Sequence, residues 1–259
     1  MKVSIVTISY NQGRFLEQAI RSVLDQDYDD VEYIVVDPGS TDGSREIIEK
    51  YRARIAAVIF ESDCGPADGL NKGFARVTGE ICSYLNADDY FEPGAFKRVA
   101  RFFSARADVD VLIGAIRIIR HDGRPRLRKE IASKFTLYKF IADACAVGQQ
   151  GTFFRRSAFA RTHGFSVENP TCWDAELLVD FALAGGRFAV MHRVLGNFRL
   201  HRASISGSGR LNARHLKEVE RIRGRLAAAK IRLHPACAAA MWLAHKTNPV
   251  RHLRALAVK

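Results

Sequence analysis

The chain has 259 residues, of which 47% are hydrophobic, so it can bury a sizeable core and is not a disordered protein. Its formal net charge of +12 suggests nucleic-acid binding, but the excess is local: residues 199–259 carry 14 lysines and arginines against 2 acidic residues. Because a nucleic-acid groove needs positive charge along the folded body, we expect no nucleic-acid partner. The basic end instead predicts a segment that meets an anionic surface or partner, with ordinary solvated charge as the alternative.

Cysteine usage and hydropathy indicate a cytoplasmic protein. The five cysteines are scattered and form no CxxC pair, which favours a reducing compartment. The first residues carry one lysine and then a strand-like run containing Thr7 and Ser9, which is not typical of a signal peptide. The most apolar late stretch, residues 236–244, is far shorter than the ~20 residues of a membrane-spanning helix.

Strand and helix patterns alternate along the first hundred residues. Strands are predicted over 3–10, 32–37, 57–61 and 81–85, and helices over about 15–24, 44–54, 68–77 and 92–103, with Ser44 as the cap of the second helix. Such alternation builds a parallel sheet covered by helices. We therefore predict an α/β fold.

The regular alternation fades in the second half of the chain. Strands are predicted over 109–120, 152–154, 187–191 and 195–200, and helices over 131–146, 157–162 and 173–184. Residues 204–209 look flexible, and the remainder is basic and helical in propensity. We predict one domain over 1–207, with halves 1–105 and 106–207, and a basic helical extension over 208–259.

Polar side chains follow the first four predicted strands at the point where each one ends. They are Ser9, Tyr10 and Asn11 after the first, Asp37 after the second, residues 63–71 after the third, and Asn86, Asp88 and Asp89 after the fourth. The carboxyl ends of parallel strands meet at one edge of a sheet, where ligands bind. Because carboxylates gathered there repel one another, the pattern predicts Mg²⁺ or Mn²⁺ bridging to a diphosphate.

The sequence lacks the motifs of two other classes of nucleotide-binding protein. The first strand-to-helix turn, TISYNQG, lacks the glycine spacing of a dinucleotide fingerprint, and the chain contains no GxxxxGK[ST]. The sequence therefore indicates neither a Rossmann dehydrogenase nor a P-loop NTPase.

Four segments occur in order along the first half: VSIVTISYNQGRFLEQAIRSVLDQ, YIVVDPGSTDGS, ESDCGPADGLNKGFARVTGEI and YLNADDYF. Together they resemble the family 2 glycosyltransferases, closely over residues 3–105. The later segments GQQGTFFRRSAF, WDAELLVDFALAGGRF and FRLHRASIS are similar to the acceptor half of that family. The resemblance implies a GT-A fold, which is a Rossmann-like, mixed and mostly parallel sheet flanked by helices.

The resemblance assigns five residues to the nucleotide sugar. Thr7 and Tyr10 are expected at the nucleobase and ribose, Asp37 at the base, Asp68 near the nucleotide and Lys72 near the phosphates. Each has a structural alternative. Tyr10 can simply pack, Asp37 can serve its turn, and Asp68 and Lys72 can form an exposed i,i+4 ion pair. For Asp42, in the same turn, we expect the turn role.

Asn86-Ala87-Asp88 stands in the place of the family's Asp-x-Asp motif. The resemblance implies that Asp88 binds the metal beside Asp89, that Asn86 and Ala87 contact the nucleotide sugar, and that His201 completes the metal shell. Arg199 is expected to close over the diphosphate. The missing first aspartate does not forbid Mg²⁺, which usually takes one or two carboxylates. A strand-end turn for the acidic pair and a surface role for the histidine are the alternatives.

The acceptor side is assigned to the segment that contains WDAE. The resemblance nominates Asp174 as the base that takes the acceptor's proton, with Glu176 as its rival, and puts Gln150 and Trp173 near the acceptor. Asp174 can instead merely favour the helix dipole, and Trp173 can merely pack. Gln149 borders the same region.

The resemblance implies a metal-dependent inverting glycosyltransferase with a nucleotide diphosphate sugar as donor, UDP being favoured over GDP or dTDP. The acceptor is expected to be a hydroxyl of a glycan or lipid-linked intermediate in cell-surface polysaccharide synthesis. The basic extension predicts peripheral attachment to the inner face of the cytoplasmic membrane or to a protein partner. The alternative is a non-catalytic, glycosyltransferase-like scaffold that binds nucleotide or glycan.

Overall fold

The computed structural model describes residues 1–125, 131–202, 204, 208 and 211–231. Its strands are β1 Val3–Ile8, β2 Val31–Val36, β3 Ala57–Ile59, β4 Ile81–Asn86, β5 Tyr90–Phe91, β6 Val111–Arg120, β7 Thr152–Arg155 and β8 Phe188–Leu200. Its α-helices are α1 Gly13–Leu24, α2 Ser44–Lys50, α3 Pro66–Phe74, α4 Ala95–Ala105, α5 Leu137–Ile141, α6 Arg156–Phe159, α7 Trp173–Leu183 and α8 Asn212–Ala228. Short 3-10 turns span Arg52–Arg54 and Gln149–Gly151.

The strands form one sheet in the order β3-β2-β1-β4-β7-β6-β8-β5. Strands β3, β2, β1 and β4 run parallel to one another, as do β6 and β8. Strand β7 is antiparallel to both of its neighbours, and β5 is antiparallel to β8. The predicted mixed, mostly parallel sheet is therefore confirmed.

Apolar side chains on both faces of the sheet build two cores. Val6 of β1 packs into one core beneath α3, α7 and α8, and Ile5 packs into the other beneath α1, α2 and α4. Strands that are covered on both faces carry nearly continuous apolar runs, which is why β1, β2 and β4 were recognisable in the sequence. This cover leaves the carboxyl ends of the strands as the place where a ligand can enter.

The helix predicted over 131–146 is wrong in extent. Only α5 forms there: the Thr136 hydroxyl accepts a hydrogen bond from the Lys139 amide at its start, and Asp143 takes a positive φ of 54° beyond its end. Phe135 and Phe140 are nevertheless buried in the core. Tertiary burial of these rings, and not helical periodicity, therefore explains the apolar pattern.

The predicted helix over 44–54 is also divided, into α2 and a 3-10 turn. Ser44 is not its cap, because Gly43 holds that position with φ of 89° and the Ser44 hydroxyl donates to Asp42 instead. The two strands predicted over 187–200 form one strand, β8, whose register against β6 shifts near Ala115.

Helix α8 packs on the main body through both apolar and charged contacts. Ile222 and Leu226 are fully buried in the core beneath α7. The sequence predicts an appended extension over 208–259, whereas α8 contributes to the core. Residues 232–259, the rest of the predicted extension, lie outside the described residues. Among the described helices, none is long and apolar enough to cross a membrane.

Candidate functional site

A cavity of about 680 Å³ opens where β1 and β4 end. These parallel neighbours pair Ile8 with Asn86, so both strands stop at the same edge of the sheet. The lining residues from the first half of the chain are Ile8, Ser9, Tyr10, Gln12, Pro38, Ser62, Asp63, Gly65, Pro66 and Asn86–Asp88. Those from the second half are Ile116, Ile118, Val147–Gln150, Thr171, Trp173, Asp174, Phe198, Leu200 and Ser204. Its volume is typical of sites for small organic ligands.

Asp88 and His201 meet at one side of this cavity. The Asp88 Oδ2 atom lies 2.9 Å from His201 Nε2, and both side chains are about nine-tenths buried. The His201 ring packs on Phe15 of α1 with its centroid 5.0 Å away. The end of β4 and the segment after β8 therefore bring together two groups that are far apart in the sequence.

Both carboxylate oxygens of Asp89, next to Asp88, accept hydrogen bonds from other residues of the protein. Its Oδ1 accepts from the Arg199 amide at 2.7 Å and its Oδ2 from the Gln150 side-chain amide at 2.6 Å. Burial, with the neighbouring Asp88 charge, raises the pKa of the Asp89 carboxyl well above its usual range. Asp89 therefore positions the loop and does not offer its oxygens to a ligand.

Arg199 does not line the cavity, contrary to the expectation that it closes over a diphosphate. Its guanidinium is buried and donates to the carbonyl oxygens of Asp88, Arg120 and His121 and to the Gln18 side chain, at 2.6–3.3 Å. These bonds use every guanidinium nitrogen. Arg199 thus ties α1, β4 and β6 together behind the Asp88–His201 pair.

The Asp88–His201 pair suits a divalent cation that shares its coordination with a ligand. Mg²⁺ is usually held by one or two protein carboxylates together with substrate phosphates and water. Among the described residues, no group of three or more His, Cys, Asp and Glu side chains is arranged to hold a metal. A carboxylate and an imidazole side by side therefore fit Mn²⁺ or Mg²⁺ when a diphosphate supplies further oxygens.

Asp174 and Glu176, the two candidates for the base, have different surroundings. Asp174 lines the large cavity and also a neighbouring one of about 110 Å³. Glu176 faces the other way: its carboxylate accepts from Arg221 and Arg225 at 2.6 Å each and from Asn169 at 2.8 Å. Burial by itself raises the pKa of Glu176, but these bonds lower it overall. Glu176 is therefore an anchor for α8, and its assignment to the acceptor site is wrong.

The family model described as "Glycosyl transferase family 2" matches residues 4–164, which is more than half of the chain. The chain belongs to this family. The resemblance identified from the sequence motifs is thereby confirmed.

Curated relatives of this glycosyltransferase are similar over part of their length. It is 27% identical over 215 residues to an uncharacterised glycosyltransferase of Nostoc sp., which covers 79% of this chain and 66% of the relative. It is 33% identical over 126 residues to the putative teichuronic acid biosynthesis glycosyltransferase TuaG of Bacillus subtilis, covering 48% and 50%. The matches thus span between a half and two thirds of these two relatives.

Solved structures confirm the GT-A fold of this glycosyltransferase. The structure of Staphylococcus aureus TarS 1-349 in complex with UDP-GlcNAc superposes with a TM-score of 0.69 at 22% identity, covering 96% of this chain and 72% of TarS. A mannosyltransferase from Pyrobaculum calidifontis, in complex with GDP-Man and Mn²⁺, superposes with a TM-score of 0.66 at 20% identity, covering 99% and 74%.

Of the residues predicted to contact the nucleotide, Tyr10 lines the cavity and Thr7 does not. Tyr10 lies at the cavity with its side chain 63% exposed, so its ring face is available. Asp37 is buried and directly precedes Pro38. Its Oδ1 accepts hydrogen bonds from backbone amides of the turn and pairs with Arg45. Its Oδ2 has no hydrogen-bond partner among the described residues. Thr7 faces the opposite side of β1, where its hydroxyl accepts from Tyr33 at 3.0 Å. Its side chain therefore cannot contact a ligand in the cavity.

Asp68 and Lys72 pair with each other, which is the structural alternative to contacting the nucleotide. They form an i,i+4 ion pair at 3.4 Å, Asp68 also accepts from the Cys64 amide at 3.0 Å, and Lys72 donates to the Ser62 carbonyl. Neither side chain lines the cavity. Asp42 likewise serves its turn, because its carboxylate accepts from Ser44 and from the Gly13 amide.

On the acceptor side, Gln150 and Trp173 both line the cavity. The side-chain amide of Gln150 already donates to Asp89, whereas Nε2 of its neighbour Gln149 has no hydrogen-bond partner within the described part of the chain. Trp173 is 5% exposed and packs into the core, while its indole nitrogen has no partner among the described residues. Asn86 and Ala87 also line the cavity, at the end of β4.

Asp63, which the sequence analysis included only within the strand-end stretch 63–71, lines the cavity, as do Gln12 and Thr171, which it did not select. Asp63 follows β3, and burial raises the pKa of its carboxyl above the ordinary value. Its position in a strand-end loop was the available signal. Thr171 offered none, because only the folded loop before α7 brings it to the cavity.

Proposed function

We propose that this glycosyltransferase moves a sugar from a nucleotide diphosphate sugar to an acceptor hydroxyl, with inversion at the anomeric carbon. The proposal rests on one observation: a single cavity at the strand ends is lined by Asp88, which contacts His201, and by Asp174. One group can serve the departing diphosphate and the other the attacking hydroxyl. A nucleotide-binding scaffold without catalysis would need neither.

The donor is a UDP-sugar in this proposal. TarS, solved with UDP-GlcNAc, has the same fold, and the exposed ring of Tyr10 offers a stacking face for a nucleobase. The unpaired Oδ2 of Asp37, beside Pro38 of the cavity wall, can accept from the imino group of uracil. A GDP-sugar is the alternative, since the archaeal neighbour was solved with GDP-Man.

Asp88 and His201 would hold Mn²⁺ or Mg²⁺. When bound, the cation supplies charge neutralisation to the diphosphate that leaves. Asp88 is suited to this position because Arg199 holds its backbone carbonyl and Asp89 fixes the loop from behind. The archaeal neighbour with Mn²⁺ supports a metal for this fold.

Asp174 takes the proton of the acceptor hydroxyl. The hydroxyl oxygen then forms a bond to the anomeric carbon from the face opposite the diphosphate, as the bond from that carbon to the diphosphate oxygen breaks. The electron pair of the broken bond leaves with the nucleotide diphosphate. One displacement of this kind inverts the anomeric configuration.

The proposed acceptor is a glycan or lipid-linked intermediate of cell-surface polysaccharide synthesis. TuaG is named for teichuronic acid biosynthesis, and TarS is named a poly(ribitol-phosphate) β-N-acetylglucosaminyltransferase, which supports this class. A cytoplasmic place at the inner membrane face fits the cations exposed on α8, which include Arg214 and Lys217. Flotation with anionic vesicles, compared with neutral ones, tests the membrane contact.

Nucleotide release from purified protein tests the function. UDP-GlcNAc, UDP-glucose, UDP-galactose and GDP-mannose are each incubated with Mn²⁺, with Mg²⁺ and with EDTA, and free nucleotide is measured. We expect metal-dependent release from at least one UDP-sugar. Absence of release from all four donors, in a protein that stays folded, would contradict the proposal and favour the scaffold.

A further inference from the structure

Two loops at the strand ends carry the residues proposed for the nucleobase. The β1 loop, residues 9–12, joins β1 to α1 and contains Tyr10. The β2 loop, residues 37–43, joins β2 to α2 and contains Asp37. Because β1 and β2 are parallel neighbours in the sheet, the two loops leave it side by side. The position of Tyr10 relative to Asp37 therefore depends on how these loops contact each other.

Three hydrogen bonds, the inter-loop bonds, connect the two loops. Asn11 makes two of them: its amide donates to Ser40 Oγ at 2.8 Å, and its Oδ1 accepts from the Thr41 amide at 2.9 Å. In the third, the amide of Gly13, directly after the β1 loop, donates to Asp42 Oδ2 at 2.8 Å. Each bond pairs a backbone amide from one side with a side chain from the other, so the bonds hold the two loops together.

Ser40 links these bonds to the carboxylate of Asp37. Its hydroxyl oxygen accepts from the Asn11 amide, and its own amide donates to Asp37 Oδ1 at 2.8 Å. The Asn11 amide belongs to the peptide unit that follows Tyr10. A continuous chain of hydrogen bonds therefore runs from the backbone beside Tyr10, through the buried Ser40, to the Asp37 carboxylate.

The contacts of Asp37 also orient its carboxylate. The Gly39 and Ser40 amides and the Arg45 Nε atom all bond to Oδ1, at 2.8–3.2 Å, whereas Oδ2 has no partner among the described residues. The side chain is fully buried, so water does not reach Oδ2 from an open surface. Since buried polar atoms are nearly always paired, Oδ2 is the atom for which a ligand supplies the donor.

Asn11 has a backbone conformation that most residues avoid. Its φ is 52°, in the left-handed region, where asparagine and aspartate are enriched among non-glycine residues. These two residues tolerate the region because a short polar side chain can hydrogen-bond to nearby backbone, as Asn11 does with the Thr41 amide. The position therefore requires both a positive φ and an acceptor oxygen.

We infer that Asn11 and Ser40 are positioning residues for the nucleobase of the donor: they hold Tyr10 and Asp37 at the spacing at which a base can stack on one and donate to the other. The inference rests on the proposed function and deepens it. Neither Asn11 nor Ser40 lines the cavity, so both act through other residues. Groups that are ordered before binding lose less conformational entropy on binding. Loss of the inter-loop bonds therefore weakens binding of the nucleoside and not of the diphosphate.

Three substitutions of Asn11 separate its side chain from its backbone. Asn11→Asp keeps an acceptor oxygen and tolerates the positive φ, Asn11→Gly keeps only the backbone conformation, and Asn11→Ala keeps neither. Ser40→Ala removes the acceptor of the Asn11 amide and retains the amide that donates to Asp37. Thr162→Val is the matched control, because the Thr162 hydroxyl accepts from the Gly164 amide at 3.2 Å in a turn outside the cavity lining.

The measured quantities are the Kd of UDP and the Kd of pyrophosphate, which lacks the nucleoside, each with Mn²⁺ in isothermal titration calorimetry. For Asn11→Ala and Ser40→Ala we expect the Kd of UDP to rise about three- to tenfold, the scale of one hydrogen bond, and the Kd of pyrophosphate to stay within about twofold of wild type. Asn11→Gly should lie between Asn11→Ala and wild type. Asn11→Asp and Thr162→Val should bind UDP within about twofold of wild type.

Steady-state kinetics with the donor found by the nucleotide-release assay gives a second readout. We expect Asn11→Ala to raise the donor KM by a similar factor and to leave kcat within about twofold, because the metal and the base are not displaced. Urea unfolding midpoints of the same variants show whether they remain folded under the assay conditions.

The outcomes for the inference and for the proposed function are distinct. A wild-type protein that binds neither UDP nor any other nucleotide contradicts the proposed function itself. An unchanged Kd of UDP in both Asn11→Ala and Ser40→Ala overturns the inference and leaves the proposed function intact. Equal losses for UDP and pyrophosphate also overturn it, because they would reflect general disorder of the site and not misplacement of Tyr10 and Asp37.

Discussion

The carboxylate Oδ2 of Asp88 lies 2.9 Å from Nε2 of His201, so the end of β4 and the segment after β8 share one polar contact at the cavity. Neither residue is close to the other in the sequence. Beside this contact, β5 pairs with β8 through Tyr90 and Asn197.

Removing either group should weaken metal-dependent turnover. We expect Asp88→Ala to reduce transfer at least ~100-fold, the scale for losing a catalytic group that acts on charge. We expect His201→Ala to raise the Mn²⁺ concentration that gives half-maximal nucleotide release. His192→Ala, an exposed histidine on β8, is the matched control and should leave the Mn²⁺ dependence unchanged. Equal Mn²⁺ dependence in the two histidine variants would remove His201 from the metal site.

Substitutions of Asp174 and Glu176, which lie on the same helix, should differ in their effects on kcat and on stability. Asp174→Asn is expected to lower kcat at least ~100-fold in a protein that still folds, because the carboxylate lines the cavity as the proposed base. Glu176→Gln is expected to shift the unfolding midpoint and to retain most of kcat in the folded protein. Steady-state kinetics and urea unfolding of the two variants decide the matter, and the reverse pattern would make Glu176 the base.

The Glu176 network should make stability depend on pH in the acid range. Arg221, Asn169 and Arg225 lower the pKa of Glu176 in the folded protein, although burial opposes them. Its stabilisation is therefore complete above the unfolded pKa of about 4.3 and is lost as the pH falls below that value. Glu176→Gln should cost about 2 kcal/mol at pH 7, at the low side of buried pairs because Arg221 and Arg225 are partly exposed, and much less at pH 3.

The matched control for this prediction is Glu220→Gln, which removes an exposed partner of Arg223 on the same helix α8. Exposed pairs of that kind contribute little, so its unfolding free energy should stay within about 0.5 kcal/mol of wild type at both pH values. A pH-independent loss in Glu176→Gln would show that packing and not the ion pairs anchors α8.

Arg199→Met should destabilise the fold although it replaces a buried charge with an apolar chain. The carbonyls of Asp88 and His121 and the Gln18 amide oxygen would each lose a donor. We expect a loss of about 1–3 kcal/mol in the free energy of unfolding, the cost of leaving buried acceptors unpaired. Arg202→Met, at an exposed position three residues later, should change the unfolding free energy by less than about 0.5 kcal/mol.

Sequence patterns located the cavity because they follow strand ends, and strand ends are visible as polar residues after apolar runs. Tyr10, Asn86 and Asp88 were found in this way. The direction of each side chain was harder to predict. Thr7 lies within the same segment, but alternation along β1 turns it with Ile5 toward Tyr33, away from the face that Ile8 presents to the cavity.

Roles that depend on distant partners could not be predicted from local motifs. The family resemblance leaves Glu176 as the rival of Asp174 for the base. Its role as an anchor depends on contacts with Arg221 and Arg225, which lie 45 and 49 residues further along the chain. Arg199 was misassigned for the same reason, since the carbonyls that take its guanidinium come from three separate elements.

The ion pairs between α7 and α8 decide where this chain can be shortened. A version ending at residue 207 would expose the buried positions that Ile222 and Leu226 cover and would leave Glu176 and Asp180 without their arginine partners. Both acids sit on the helix that begins with Trp173 and Asp174. Trimming for expression or crystallisation should therefore keep α8, because a protein without it would lose order in the helix that carries Asp174, the proposed base.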